Sequence, residues 1–190
     1  DPNDRVRWAL RRLYYRERDY RAAHGRYAAD LTAIGAPDIH VDGVDFRPDI
    51  VHCHDWHAAP AAVLLKGPHR TDPVFRHSYT MLTIHNIGYQ GVFPARVLEQ
   101  AGYAEVRRLF SAIDLAHLQA NFLKAGIAHA DALTTVSPTH AREIQTPEFG
   151  MGLDTLLRQR RHRLAGILNG VDYSQWSPET DVAIPARYAV

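Results

Sequence analysis

Four short apolar runs punctuate the chain, and each ends in polar residues. Asp49–Cys53 leads into His54-Asp55-Trp56-His57, Tyr79–Ile84 into His85-Asn86, Ala132–Val136 into Ser137-Pro138, and Leu164–Leu168 into Asn169-Gly170-Val171-Asp172. Between the runs lie stretches with helical spacing. The pattern predicts helices over His57–Lys66, stopped by Gly67-Pro68, and over Ala95–Ala101 and Glu105–Ser111, which bracket Gly102. Further helices are expected over Leu118–Ala130, with Phe122, Leu123, Ala125 and Ile127 towards the buried side, and over Thr139–Gln145 and Met151–Gln159. Ahead of these, Arg5 to about His24 reads as a helix, with Trp8, Leu10, Leu13, Tyr14, Tyr20 and Ala23 spaced among arginines, and Gly25 and Gly35-Ala36-Pro37 break it. The character changes at Phe46-Arg47-Pro48-Asp49, after which strand and helix alternate regularly. That alternation predicts an α/β fold with about four parallel strands. In such sheets ligands bind beyond the carboxyl ends of the strands, so the four polar clusters are expected to meet along one edge.

Each cluster has a chemical reading and a structural one. In His54-Asp55-Trp56-His57, Asp55 is placed to accept a proton from, or orient, a hydroxyl, and Trp56 offers a flat face to a sugar ring or a base. Asp55 would equally serve as a plain cap of the following helix. His52 and His54 share one face of a strand, as two metal-ligating imidazoles would. The order of Asp55, Trp56 and His57 does not match a dinuclear hydrolase, and no later His or carboxylate recurs at a matching spacing. His85-Asn86 and the following Gly88-Tyr89-Gln90-Gly91 bring a donor-rich loop whose glycines let backbone approach a ligand. Ser137-Pro138-Thr139 reads as the cap and first turn of a helix, since the G-x-S-x-G elbow of a nucleophilic serine is absent. Asn169-Gly170-Val171-Asp172 is a tight turn whose only functional claim is its position.

Composition narrows the classes. A hydrophobic content of 46% with 23% charged residues is that of an ordinary globular protein with a real core. The formal charge of +1 argues against an electrostatic nucleic-acid binder, and the arginine runs read as solvated helix faces. No apolar stretch approaches the roughly 20 residues of a membrane span, and no secretory leader is visible. No nucleic acid and no membrane are therefore expected as partners, and a cytoplasmic location is the default. The single cysteine, Cys53, excludes an internal disulfide and sits in an apolar strand, where burial is expected.

Taken in order, the phrases PDIVHCHDWHA, TIHNIGYQGVF, NFLKAGIAHADALTTVSPTHAREI, GMGLDTLL and GILNGVDYSQWSPETD resemble the bacterial glycogen synthase and plant starch synthase family, from about Phe46 to Asp181. The resemblance implies a GT-B glycosyltransferase, with two Rossmann-like domains facing across a cleft. It implies transfer of glucose from ADP-glucose (UDP-glucose in some members) to the non-reducing end of an α-1,4-glucan. Configuration is retained, with no metal and no cofactor beyond the donor sugar. The catalytic residues implied are His85, against the transferred glucose, and Asp55, shaping the acceptor site. Asn86 and Asn169 would bind sugar hydroxyls, Trp56 and His57 would line the acceptor site, Tyr89 and Gln90 the adjoining loop, and Lys124 the helix behind it.

The chain also departs from the family pattern. It contains no Lys-x-Gly-Gly-Leu loop, Leu115-Ala116-His117 stands where a Glu-aromatic stretch is usual, and residues 1–42 match weakly. The organisation expected is a helical leader over 1–42 and, over 43–190, a partial N-terminal, acceptor-side domain with a parallel sheet flanked by helices. On that reading the isolated chain is expected to be inactive or nearly so. The alternatives are a non-catalytic glucan-binding fragment and a metal-dependent hydrolase.

Overall fold

The computed structural model describes residues 12, 15, 16, 18–25, 47–174 and 176–188. The chain divides into two compact units, Asp1–Phe46 and Arg47–Val190. In the first, residues 18–24 are helical (α1), ending where the Gly25 amide donates to the Arg21 carbonyl at 2.8 Å. This agrees with the helix expected to run to His24; Trp8, Leu10, Leu13 and Tyr14 lie outside the described residues.

The second unit is built on a four-stranded parallel sheet in the order β1-β2-β5-β6, with β1 at Ile50–His54, β2 at Tyr79–Ile84, β5 at Ala132–Thr135 and β6 at Leu164–Gly166. All three pairings are parallel, and Thr83 lies beside both His54 and Thr134 while Thr135 lies beside Ile84 and Gly166. The strands therefore end level. The four apolar runs became the four strands, and the polar clusters after them lie along one edge.

Alternation along the strands decides which face is covered. Val51, Cys53, Leu82, Ile84 and Leu133 point to one side and pack with Ala59, Ala62, Leu123 and Ile127 from helices α2 (Asp55–Lys66) and α5 (Phe122–His129). Leu82, Leu123, Ile127 and Leu133 are fully buried, each contributing about 2 kcal/mol by removal of apolar surface from water. The two helices meet so closely at Gly126 that a Cβ there would lie 2.6 Å from the Ala59 Cβ. His52, His54, Thr83 and Thr134 occupy the other face, where they form a polar file instead of a core: the Thr83 hydroxyl is 2.6 Å from both His52 Nε2 and the Thr134 hydroxyl.

The main difference from expectation lies at Leu118–Ala130. The helix begins only at Phe122, because Leu118 adopts a left-handed conformation (φ 58°) and Gln119–Asn121 form a strand, β4. That strand pairs antiparallel with Val92–Pro94 (β3), a pairing that local periodicity does not encode. Asn121 then caps the helix, its side-chain oxygen accepting from the Lys124 amide at 2.9 Å. The ribbon frames a second apolar cluster of Val63, Leu98, Val106, Phe110, Ala120 and Phe122. Helix α3 is confined to Val97–Gln100, Ala104–Leu109 is a 3-10 helix, and a short helix not anticipated, α4, spans Ala112–Ala116. Helix α7 (Asp154–Gln159) falls within its expected segment and α6 (Pro138–Glu143) overlaps Thr139–Gln145 but begins one residue earlier, with Ser137 capping it by accepting from the His140 amide at 2.9 Å. Among the described residues no helix is long and apolar enough to cross a membrane.

Candidate functional site

The site grows from the level strand ends. Strand β1 delivers His54 and Asp55, and β2, hydrogen-bonded beside it, delivers His85 and Asn86. Asp55 is the first residue of α2, yet its carboxylate does not cap that helix. Its Oδ1 accepts from the backbone amide of His85 at 2.8 Å and, more weakly, from that of Asn86 at 3.4 Å. This corrects the reading of Asp55 as a plain cap. The carboxylate fastens the loop after β2 across the gap between the strands, from a backbone held in the left-handed region (φ 52°).

His85 and Asn86 are exposed at this edge. The His85 Nε2 lies 2.9 Å from His54 Nδ1, a contact that requires one of the two nitrogens to be unprotonated. Beyond it, the His52 ring lies tilted against His54 with a centroid distance of 4.2 Å. Partial burial, and then the neighbouring His54 and His85, hold the His52 imidazole below its usual pKa. Although His52 and His54 share a face as anticipated, His57 is turned away onto Trp56. Among the described residues no group of three His, Cys, Asp or Glu side chains is arranged to hold a metal ion.

The loop after His85 is tied down by short-range and long-range bonds. Asn86 Oδ1 accepts from the Gly88 amide at 2.9 Å, folding the chain back on itself, while Tyr89 stands 69% exposed at the rim. Gln90 donates to the Met151 carbonyl at 2.9 Å and accepts from Asn121 Nδ2 at 2.6 Å, joining the loop to the turn before α7 and to the start of α5. Gly91, at φ 61°, closes on Trp56 so tightly that a Cβ would sit 2.5 Å from the indole. The indole also stacks on His57 (3.9 Å) and tilts against Phe93 (5.3 Å). Trp56 is thus a post for the loop and a wall between the two apolar clusters. Lys124, in the first turn of α5, pairs with Asp114 at 2.8 Å.

The structure therefore joins Asp55, His85 and Asn86 directly, and groups Trp56, His57 and Gln90 at the loop that follows, whereas the Lys124 side chain is engaged with Asp114 of α4. Asn169 shares the edge, three residues beyond β6, but is exposed and makes no side-chain hydrogen bond among the described residues. Two participants carry no functional reading in the sequence, Asn121 and Met151, while His54, read there as part of its cluster and as a possible metal ligand, is a partner of His85. Asn121 was hidden by the helix expected to run through it, although an Asn three residues before Lys124 is a cap signal. Met151 contributes only a carbonyl, which leaves no mark in the side-chain pattern.

The comparisons with known proteins fit this geometry. The chain matches the family described as the starch synthase catalytic domain over residues 4–159. It is 52% identical over 147 residues to a glycogen synthase of Myxococcus xanthus, covering 76% of this chain and 30% of that protein. With a glycogen synthase of Anaeromyxobacter it shares 45% identity over 183 residues, 94% of this chain and 37% of the relative. Among solved structures it is similar to the catalytic domain of starch synthase IV from Arabidopsis thaliana bound to ADP and acarbose. The TM-score is 0.62 and the identity 34%, over 75% of this chain and 29% of that one. The chain thus spans about a third of the length of the curated relatives. With a family match over most of its residues, and an α/β core of parallel strands shared with a solved member, the chain belongs to the starch synthase catalytic domain family.

Proposed function

We propose that this chain forms the acceptor-side wall of a glycogen synthase, which transfers glucose from ADP-glucose to the non-reducing end of an α-1,4-glucan with retention of configuration. Because the chain spans 28–37% of the relatives' length, the complete reaction is proposed for a protein of their length. The observation that supports the reading best is the bond from the His85 amide to the Asp55 carboxylate, which presents an exposed imidazole and the Asn86 amide at the carboxyl edge of the sheet. An edge of this kind works by orientation and by fixed donors near developing charge, and it needs no pair of facing carboxylates.

In this reading His85 faces the glucose being transferred and the oxygen that leaves with the diphosphate. Asn86 and Asn169 bind sugar hydroxyls, and Tyr89 gives an aromatic rim. Asp55 serves the acceptor and also positions His85. Trp56, His57 and Gln90 shape the loop, and Lys124, paired with Asp114, lies on the helix behind it. Nothing in these roles requires a metal. A cytoplasmic location accompanies the reading, since a lone cysteine suits a reducing compartment.

Incubation with radiolabelled ADP-glucose and a maltooligosaccharide, with and without a chelator, tests the proposal. The chain is expected to bind the maltooligosaccharide while elongating it little, with no effect of the chelator. Replacing His85 or Asn86 by Ala is expected to weaken binding about tenfold. Absence of glucan binding, or a hydrolytic activity lost on chelation, would overturn the reading.

A further inference from the structure

On the opposite side of the sheet, at the amino-terminal ends of the strands, lies a second cleft of about 740 Å³. It opens between the end of α2, the turns that follow it, Tyr79 at the start of β2, the end of α5, and Arg160 just after α7. Lys66, Arg70, Arg76 and Arg160 contribute four permanent cations to its lining, against a single carboxylate, Asp131. His77 and His129 also face it.

The structural needs of the region account for only part of that charge. Helices α2 and α5 both end here, and their carbonyl ends carry partial negative charge. Arg160 answers α5 by donating to the carbonyls of Ala128, at 2.9 Å, and Ala130. Lys66 neutralises Asp131 at 2.7 Å. The remaining Asp131 oxygen accepts from the Thr80 amide at 2.8 Å and hydroxyl at 2.9 Å. The charge of Arg160 is offset only in part, by the α5 carbonyls and by the field of Asp131, and its Nε is buried with no hydrogen-bond partner. Burial, then repulsion from Arg163, lower its pKa.

Arg70 and Arg76 have no such duty. They project from the turns after α2, both exposed, with no carboxylate within ion-pair distance among the described residues. Asp72, between them in sequence, instead turns its carboxylate to the Val74 amide at 2.8 Å. Two unengaged guanidiniums lining one cleft are suited to a phosphate, whose oxygens accept paired N–H donors. Beside them, Phe75 and the 67% exposed Tyr79 supply aromatic faces on which a ring can lie. The volume is that of a small-molecule site.

We propose that this cleft binds a small organic phosphate, a phosphomonoester attached to a planar ring, at a site separate from the Asp55–His85 edge. The phosphate sits between Arg70 and Arg76, and the ring lies against Tyr79 or Phe75. The sheet separates this ligand from the proposed reaction, so its occupancy is independent of glucan binding.

Calorimetric titration of the 190-residue chain with inorganic phosphate, AMP and adenosine tests the assignment. AMP is expected to bind more tightly than phosphate, and adenosine not measurably. Replacing either Arg70 or Arg76 by Gln should weaken AMP binding about tenfold. Arg142→Gln removes an exposed charge elsewhere and should leave AMP affinity within about twofold. These arginines are exposed, so unchanged melting temperatures will show that the variants fold. Equal losses in all three variants would reduce the effect to net charge and overturn the proposal. AMP binding unaffected by Arg70→Gln and Arg76→Gln would overturn it too, as would no binding of phosphate or AMP at millimolar concentration.

Discussion

Asp55 carries two demands at once: a backbone at φ 52°, and a carboxylate reaching across to the amides of His85 and Asn86. Left-handed conformation costs a non-glycine residue about 1–2 kcal/mol, somewhat less for Asp, so the carboxylate bonds must offset it. Three substitutions separate the terms. Asp55→Ala keeps the strain and removes the acceptor, and is expected to destabilise the fold by about 2 kcal/mol. Asp55→Gly removes both, and should be about 1 kcal/mol more stable than Asp55→Ala. Asp55→Asn keeps an acceptor oxygen and should hold most of the stability while weakening maltooligosaccharide binding. Chemical denaturation and glucan titration of the three variants check this. Equal stability of the Ala and Gly variants would show that the backbone stores no strain there.

At the scale of elements, the site depends on how closely α2 lies on α5. Both helices begin at strand ends that supply site residues, and Gly126 sets their separation by leaving room for Ala59. A methyl group there would lie 2.6 Å from the Ala59 Cβ and 3.0 Å from Leu82 Cδ2, in a core with no flexible chain end to give way. Gly126→Ala gains helix propensity of about 1 kcal/mol but overpacks the core by about 1–3 kcal/mol. Net destabilisation is therefore expected, seen as a lower denaturation midpoint. The same scale explains the shortened helix at Leu118–Ala130. Apolar spacing runs on through Ala120, but Ala120 is buried in the second cluster as part of β4, beside Phe93 of β3. Strand pairing overrode a local preference that pointed to helix.

For the second unit as a whole, the most consequential polar link is Asp131, which joins the start of β5 to Thr80 in β2 and Lys66 at the end of α2. Burial alone would raise its carboxyl pKa, but the hydrogen bonds from Lys66 and Thr80 outweigh that, and it lies below the ordinary value. A depressed carboxyl contributes stability that is fully present above the unfolded-state value, about 3.9, and is lost as pH falls through the lower folded-state value. Asp131→Asn is expected to cost about 2 kcal/mol at neutral pH. The difference from the parent should shrink as pH falls below about 4. Denaturation at neutral and acid pH measures this, and a pH-independent difference would contradict the assigned cause.

Signals carried by neighbouring residues were readable without coordinates. Strand β2 occupies the expected Tyr79–Ile84, Ser137 and Pro138 open α6 as their types require, Cys53 is buried, and the helix through Phe122, Leu123, Ala125 and Ile127 buries that face. The meeting of polar clusters at one edge also followed, because a parallel sheet leaves its strand ends no other arrangement. What required the tertiary structure is every bond between residues distant in the chain: Asp55 to the His85 amide, Gln90 to Asn121 and Met151, Asp131 to Thr80, and the closure of Gly91 on Trp56. Periodicity and caps arise from chemistry within a few residues, so the sequence alone determined the four strands of the parallel sheet and the helices α2, α6 and α7, whereas β3 and β4 and the start of α5 depended on pairing between distant segments. The partner of a half-buried carboxylate or an indole face is set by register and packing, and those exist only once the sheet has formed.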